Sequence, residues 1–345
     1  MEKLNVGICS TVKHVGENLR CFVEYHQSIG FSHFFLFFDD PEDEDIKSVS
    51  EIPGVKVIPV TPQLRIQHPE LETFTSKWYE TKIMARQEFH ASVAMKWACD
   101  ELDWLFHLDS DELFYCKSLD VRSVLRDVPE EIEQIVFCNY EGICDKIYVK
   151  NVFAEVQLFK RNIKFLSEAG IEAIPKYGPL KNFFSGYGNG KAASRCKEGI
   201  VADGCHGFIH SNGSPLKSFI HDESAVVLHY FNCGFGQFKE KYNILGEYTD
   251  KYFDQFKIPF PVHLKAHEAV SSGDMDRMIA SYREHHLFDE PEIKEKLLNE
   301  NYLRRVDAIG PILKSLSQGS AKDSATMLRE RTLAPKLADA QNEGE

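Results

Sequence analysis

The sequence has no run of about 18 consecutive apolar residues, so it predicts no transmembrane helix. It also shows no secretory signal, because residues 1–9 pass directly into a strand pattern. From these two absences we expect a cytoplasmic protein with no membrane anchor.

Two further absences limit the function. The nine cysteines include no Cys-x-x-Cys pair, which argues against a structural zinc site and favours free thiols in a reducing compartment. Positive charge is not in excess either, since 40 Lys and Arg residues face 53 Asp and Glu residues and the net charge is −13. We therefore do not expect the protein to bind nucleic acid or an anionic membrane through bulk electrostatics.

The sequence does contain enough apolar material for a large α/β core, since 43% of its 345 residues are hydrophobic. Strand patterns over 4–12, 33–38 and 55–60 are followed by a clear helical pattern over 79–99. Strands that alternate with helices in this way predict a Rossmann-like, mostly parallel sheet flanked by helices.

The most informative stretch is 104–114, in which a short apolar run ends in the acidic residues Asp109, Asp111 and Glu112. The apolar run predicts a buried strand, and ligands bind outside the carboxyl ends of strands in open α/β sheets. On a fully extended chain, Asp109 and Asp111 would point the same way. The pair therefore predicts a site for a hard divalent cation, Mg²⁺ or Mn²⁺, completed by substrate phosphate oxygens.

Other segments carry weaker predictions. Gln87 lies on the apolar face of the helix over 79–99, where a polar side chain needs a partner or a ligand. Residues 161–223 are rich in Gly, Ser, Asn, Lys and His, which predicts a long functional loop or lid. Further strands are expected over 134–139, 152–159 and 226–230, and helices over about 235–249, 262–286, 290–299 and 302–317.

Several short motifs follow each other along the chain in a characteristic order. The residues that carry it are Val12-Lys13-His14-Val15-Gly16-Glu17, Phe22-Val23-Glu24-Tyr25-His26, Gly30-Phe31, Arg86-Gln87, Asp109-Ser110-Asp111-Glu112-Leu113, Gly190-Lys191-Ala192-Ala193-Ser194-Arg195, His206 and His229-Tyr230. Together they resemble the pattern of GT-A fold glycosyltransferases, particularly the family-2-like and family-92-like groups, over roughly residues 4–245. His14 stands where the usual motif has Asn, and Leu113 where it has Phe.

This resemblance implies a GT-A fold with a C-terminal helical extension. It also implies an enzyme that moves a sugar from a nucleotide-sugar donor, with UDP-sugar favoured, to a hydroxyl of a glycan or glycoconjugate acceptor. The reaction is expected to need Mn²⁺ or Mg²⁺ and, by analogy, to be inverting. We expect a nucleotide-sugar-binding and acceptor domain over 1–233, a helical region over 234–318 and a flexible tail over 319–345. Whether the protein forms a homodimer is left open.

The resemblance also implies roles for particular residues. Asp111 is expected to bind the metal most directly and Asp109 to assist it, while Glu112 braces the acidic loop beside them. A further ligand is expected from His229 or from its rival His206. Lys191 and Arg195 are expected at the diphosphate. Contacts to the rest of the donor are expected from Thr11, Lys13, Asp39, Asp40, Arg86 and Gln87.

Several points stay open at this stage. The general base of an inverting reaction is undecided among Glu168, Glu198, Asp203, Asp222 and Glu223. Aromatic residues of the 161–223 segment are candidates for stacking on the acceptor sugar, namely Tyr177, Phe183, Phe184 and Tyr187. Two other functions compete. One is a metal-dependent nucleotidyltransferase, although residues 10–14 do not form a Gly-rich phosphate loop, and the other is a non-catalytic carbohydrate- or nucleotide-binding descendant of the fold.

Overall fold

The computed structural model describes residues 4–71, 74–167, 184, 186–247 and 261–318, and strands and helices follow each other along them. The strands are β1 (Val6–Val12), β2 (His33–Phe38), β3 (Val55–Pro59), β4 (Trp104–His107), β5 (Glu112–Cys116), β6 (Gln134–Phe137), β7 (Asn139–Gly142), β8 (Leu158–Lys160), β9 (Lys191–Arg195), β10 (Ile200–Asp203), β11 (Gly207–His210), β12 (Ser218–Ile220), β13 (Ala225–His229) and β14 (Leu303–Arg305). The helices are α1 (Glu17–Ser28), α2 (Ile46–Val49), α3 (Pro62–Gln67), α4 (Ile83–Ala98), α5 (Val121–Leu125), α6 (Val152–Glu155), α7 (Phe235–Glu247), α8 (Pro261–Ser271), α9 (Met275–His285), α10 (Pro291–Asn299) and α11 (309–318).

The central sheet has the strand order β12-β6-β9-β4-β1-β2-β3. All of its pairs are parallel except the two that β9 makes with β4 and β6. The α/β class and the Rossmann-like succession of β1 to β4 agree with the sequence prediction. The sheet is nevertheless mixed, because β9 runs antiparallel to both of its neighbours.

A second sheet, which the sequence analysis did not predict, has the order β14-β8-β7-β13-β5 and contains one parallel pair, β7 with β13. The chain passes from the central sheet to this one between β4 and β5. Those two strands are separated only by residues 108–111, which include Asp109 and Asp111. The acidic turn therefore lies at the junction of the two sheets.

Helices cover both faces of the central sheet. Leu19, Phe22, Val23 and His26, spaced i, i+3, i+4 and i+7 along α1, are all buried. The first three join one apolar cluster with β1, β2, β4 and β5. Helix α4 lies on the other face, in a cluster that includes Cys9, Phe37 and Leu105. Since β1 is buried along its whole length, its near-continuous apolar sequence is explained by this double cover.

Helix α1 also fixes the position of β5. The Tyr25 hydroxyl donates a hydrogen bond to the carbonyl of Phe114 at 3.0 Å, and the Phe114 N–H donates to Nε2 of His26 at 3.0 Å. His26 Nδ1 donates to the carbonyl of Phe22 at 2.8 Å, which sets the tautomer of the ring. The Tyr-His pair of the helix thus satisfies both backbone groups of a residue two positions beyond Glu112.

The helices after Gly234 have a core of their own. Phe238, Tyr242 and Tyr282 are its largest buried side chains, and the Gly234 N–H donates to the Tyr282 hydroxyl at 2.8 Å. Apart from β14, the elements after residue 234 are helices in the part of the chain that the structure describes. The predicted 319–345 tail lies outside the residues that the structure describes.

Several predicted boundaries were wrong. The 161–223 segment is not a long loop throughout, because its described part contains β9, β10, β11 and β12. Residues 152–155 are helical because the Asn151 side chain accepts a hydrogen bond from the Ala154 N–H at 3.0 Å and caps α6. The helix predicted over 262–286 is two helices, α8 and α9, and the Asp274 side chain caps the second. Residues 303–305 are strand β14 and not the start of a helix.

Two further predictions concern membrane-spanning helices and the state of the cysteines. No helix among the described residues is both long enough and apolar enough to span a bilayer. All nine cysteines are described, and all are free thiols, as the sequence analysis expected.

The buried histidine His26 predicts a loss of stability in acid. Burial lowers the pKa of His26 to about 3, whereas an unfolded histidine titrates near 6.5. Between these values only the unfolded state binds the proton, so stability falls as the pH drops from about 6.5 towards 3. His26→Asn should lose about 2 kcal/mol less of its unfolding free energy than wild type between pH 7 and pH 5. Urea titrations at both pH values measure this difference, and equal losses in the two proteins would contradict it.

Candidate functional site

The two aspartates of the acidic turn do not bind the same partners. The Glu112 N–H donates to the Asp109 carbonyl at 3.0 Å, so residues 109–112 form a tight turn and not an extended strand. The expectation that Asp109 and Asp111 point the same way along an extended chain was therefore wrong. Each carboxylate instead faces its own set of donors, which arrive from different elements.

Asp109 is held by two side chains. Gln87 Nε2 donates to one of its oxygens at 2.6 Å, and Lys191 Nζ donates to the other at 2.7 Å. Burial raises the pKa of Asp109, but the Lys191 ammonium outweighs that effect and lowers it below the ordinary value. Gln87 on the buried face of α4 thus has the partner that its position required.

Lys191 reaches this carboxylate because β9 runs antiparallel to β4. The first residue of β9 then lies at the carboxyl end of β4, beyond the Phe106–Ala193 pair. The preceding residue is Gly190, with φ +82°, and a Cβ there would lie 2.4 Å from the carbonyl oxygen of Phe137. Only glycine permits this approach, which brings Lys191 into the sheet.

Glu112 forms the buried base of the acidic turn. Its carboxylate accepts hydrogen bonds from the Tyr187 hydroxyl and from the Asp109 N–H, the latter at 2.9 Å, and lies 3.5 Å from Lys191 Nζ. Burial raises the pKa of Glu112 to about 7, against the opposing effect of Lys191. These contacts suit a residue that braces the turn.

Asp111 faces the other way, towards α7 and β13. One oxygen, Oδ2, lies 3.2 Å from Lys241 Nζ and 3.8 Å from His229 Nε2. Burial raises the pKa of Asp111, but Lys241 and His229 outweigh it, so the pKa lies well below the ordinary value. The side chain is 19% exposed and that of Asp109 is 27% exposed, so a ligand can approach both.

His229 lies between two glutamates in the second sheet. It pairs with Glu112 of β5 on one side and with Glu141 of β7 on the other. Glu141 accepts hydrogen bonds from Lys160 Nζ at 2.5 Å and from the Gly186 N–H at 2.6 Å. A Cβ on Gly186 would lie 2.9 Å from the His229 ring, so the 186–190 segment packs closely over this row.

Asp111 and His229 fit two ligand positions of a divalent cation. Donor atoms that each lie about 2.1 Å from one ion are at most about 4.2 Å apart, and Asp111 Oδ2 and His229 Nε2 are within that limit at 3.8 Å. In the described part of the chain, no three acidic, His or Cys side chains converge on a ready-made metal cluster. The other ligands would have to be water and substrate oxygens, which is the usual pattern for Mg²⁺.

The rival ligand His206 lies nearby but faces other groups. Its Nδ1 donates to the Gly190 carbonyl at 2.9 Å, and its ring lies 4.6 Å from that of Tyr187. The same Tyr187 ring lies 4.9 Å from that of His229 on its other side. Burial lowers the pKa of His206 to about 4, which favours the neutral ring.

Arg195 is not brought into this cluster. It pairs with Trp104, at the amino end of β4, and therefore lies at the opposite end of β9 from Lys191. Its guanidinium lies 4.6 Å from the centre of the Trp104 ring and donates to the carbonyls of Ile132 and Val128 at 2.8 and 3.0 Å. These contacts are those of a structural arginine.

A second polar group lies at the carboxyl ends of β1 and β2. Arg86 of α4 approaches both oxygens of Asp39, at 2.7 and 3.0 Å. Thr11 Oγ1 lies 2.9 Å from Nδ1 of His90, and the Tyr79 hydroxyl lies 3.0 Å from Nε2 of the same ring. Burial lowers the pKa of His90 to about 3, so this ring is neutral.

Lys13 and Asp40, the two other residues expected at the donor, follow these strands. Lys13 is half-buried in the turn after β1. Asp40 lies 3.3 Å from Nε2 of His14, and Asp43 accepts the His14 N–H at 2.6 Å. Asp40 thus contributes to the ordering of the loops after β1 and β2.

Four of the five candidates for a general base are among the described residues. Glu198, Asp203 and Asp222 are exposed. Glu223 accepts from Arg161 through both oxygens, at 2.7 Å each, and from the Tyr140 hydroxyl at 2.6 Å. The remaining candidate, Glu168, lies outside the described residues, as do the proposed acceptor aromatics Tyr177 and Phe183.

Sequence reasoning missed two functional contacts. Lys241 was not singled out, because nothing in the sequence distinguishes it from the neighbouring Lys239 in the same helical pattern. Tyr187 was proposed as a platform for a sugar, whereas its hydroxyl donates to Glu112. The glycines around Tyr187 were the available signal, since they indicate close backbone approach.

The fold and this cluster define an α/β protein with a charged site at the carboxyl edge of its parallel strands. No family model matches the chain. It is similar to two Arabidopsis thaliana proteins at 26% identity over 338 residues. "Glycosyltransferase-like At2g41451" is matched over 92% of this chain and 73% of its own length. "Glycosyltransferase-like At3g57200" is matched over 93% of this chain and 65% of its own length.

Proposed function

We propose that this chain is a glycosyltransferase that moves a sugar from a nucleotide-sugar, with UDP-sugar favoured, to a hydroxyl of a glycan or glycoconjugate. The names of the two similar Arabidopsis proteins support the class of reaction. The observation that carries the proposal is the cluster at the end of β4, where Asp111 faces His229 and each aspartate of the acidic turn is paired with a lysine. Inversion at the sugar is proposed by analogy with the enzymes that the motifs resemble.

A divalent cation, Mn²⁺ or Mg²⁺, would be held by Asp111 and His229 and would stabilise negative charge on the nucleoside diphosphate as it leaves. The protein's own part is to hold in place the turn that carries Asp111. Gln87 and Lys191 fix the two oxygens of Asp109, and Glu112 fixes the backbone of the same turn. A site whose groups are already oriented spends little energy on reorganisation when charge develops.

The donor nucleoside would bind beside Asp39 and Thr11, at the ends of β1 and β2. Arg86 approaches both oxygens of the Asp39 carboxylate there. A carboxylate has about four lone-pair positions, so Asp39 can accept a base N–H while it remains paired with Arg86. This arrangement supports a base that offers an N–H, as uracil does.

Calorimetric titration of UDP, GDP and CMP, each with and without Mn²⁺, tests the proposal. We expect UDP to bind in the presence of Mn²⁺ and to bind at least about tenfold more weakly without it, because the diphosphate then loses its bridging cation. Absence of binding for all three nucleotides would overturn the proposal and favour a non-catalytic protein. Pyrophosphate release from nucleoside triphosphates would instead favour a nucleotidyltransferase.

A further inference from the structure

Lys241 is the one member of the cluster that no motif pointed to. It projects from α7, between the buried residues Phe238 and Tyr242, and its ammonium lies 3.2 Å from Asp111 Oδ2 and 4.7 Å from the centre of the Phe231 ring. The side chain is 28% exposed. The side chain is therefore partly accessible to solvent.

The two lysines of the site are held differently. Lys191 has a side chain only 1% exposed and lies within 3.5 Å of both Asp109 and Glu112. Its position is fixed by burial and by two carboxylates. Lys241 is paired with Asp111 through a flexible four-carbon chain at the edge of the site, so it can move without leaving a charge buried alone.

Lys241 occupies the oxygen that a cation would need. The 3.8 Å approach of His229 Nε2 is to Asp111 Oδ2, the same atom that Lys241 contacts. A divalent ion and an ammonium group on one oxygen would repel each other strongly at these distances. Binding of the cation thus requires that Lys241 leave Asp111, which its flexible and partly exposed side chain permits.

We propose that Lys241 is the counter-ion of Asp111 in the empty site and that it moves to the diphosphate of the bound nucleotide when a divalent cation takes Asp111. This inference rests on the proposed function. It follows from the charges around Asp111, since a cation bound to Asp111 and His229 would leave the Lys241 ammonium without its carboxylate partner. A nucleoside diphosphate that arrives with its cation brings the negative charge that a displaced Lys241 needs as a partner.

The test compares Lys241→Met with Lys239→Met, a control on the same helix. Binding of Mn²⁺ alone and of UDP in the presence of Mn²⁺ is measured by calorimetry for both variants and for wild type. The Lys241→Met protein should bind Mn²⁺ alone about tenfold more tightly, because its competitor is gone, and UDP with Mn²⁺ about tenfold more weakly, because a charged phosphate contact is lost. The control should match wild type in both measurements.

The opposite directions of these two changes separate the inference from a structural role. If both ligands bind more weakly, if neither affinity changes, or if neither protein binds Mn²⁺, the inference is overturned. If wild type binds Mn²⁺ but not UDP, the proposed function fails. In that case an unchanged Mn²⁺ affinity in Lys241→Met would separately overturn the claim that Lys241 competes with the cation for Asp111. Thermal melts of each variant ensure that the compared proteins are folded.

Discussion

Asp111→Asn should abolish Mn²⁺-dependent sugar transfer while the protein stays folded. Asparagine keeps the size of the side chain but removes the charge that faces His229 and Lys241. If the cation supplies several kcal/mol of transition-state stabilisation, the rate of UDP release from UDP-sugars should fall about 10³-fold or more. Because Asp111 is partly exposed, we expect its loss to shift the melting temperature by only a few degrees.

The matched control is Asp127→Asn, which removes an exposed carboxylate elsewhere on the chain. It should leave both UDP binding and transfer as in wild type. Retention of Mn²⁺-dependent UDP binding by Asp111→Asn would show that this carboxylate is not a ligand. The same result would make the pairing of Asp111 with Lys241 a structural contact.

The parts of the fold that the sequence predicted are those set by local patterns. The apolar runs of β1, β2 and β4 and the helical spacing in α4 each require only a few neighbouring residues to be recognised. The acidic turn after β4 was also visible, because a strand that ends in carboxylates has few structural explanations.

The parts that the sequence could not predict depend on distant segments. Strand β5 pairs with β13, so Glu112 and His229 become neighbours although more than 100 residues separate them in the chain. The antiparallel insertion of β9 into the central sheet is equally non-local. Lys241 and Asp111 are 130 residues apart in sequence, and only the packing of α7 brings them together.

Lys191 and Arg195 illustrate how a motif can mislead. The resemblance implied that both cations contact the diphosphate. Because residues 191–195 are a strand, the four-residue interval spans about 13 Å and puts the two charged residues at opposite ends of that strand. Lys191 meets the acidic turn, and Arg195 meets Trp104.

The largest loss of stability is expected from Lys160→Met. Lys160 Nζ lies 2.5 Å from Glu141, and the two side chains are only 7% and 2% exposed. Removal of one partner of a buried pair leaves an uncompensated charge and costs about 3–5 kcal/mol of unfolding free energy. The melting temperature should therefore fall by on the order of 10 °C. Lys217→Met is the matched control, because its ion pair with Glu131 is exposed and should contribute about 1 kcal/mol or less.

The double variant Glu141→Gln/Lys160→Met distinguishes charge from packing. It removes both charges, so it should regain a large part of the lost stability, and a double variant no more stable than Lys160→Met would contradict the charge argument. The pair also supports the site, since Glu141 accepts the Gly186 N–H at the start of the segment that carries Tyr187 and Lys191. Folded Lys160→Met should accordingly bind UDP with Mn²⁺ more weakly than wild type, whereas the double variant keeps an acceptor for Gly186 and should bind more nearly as wild type does.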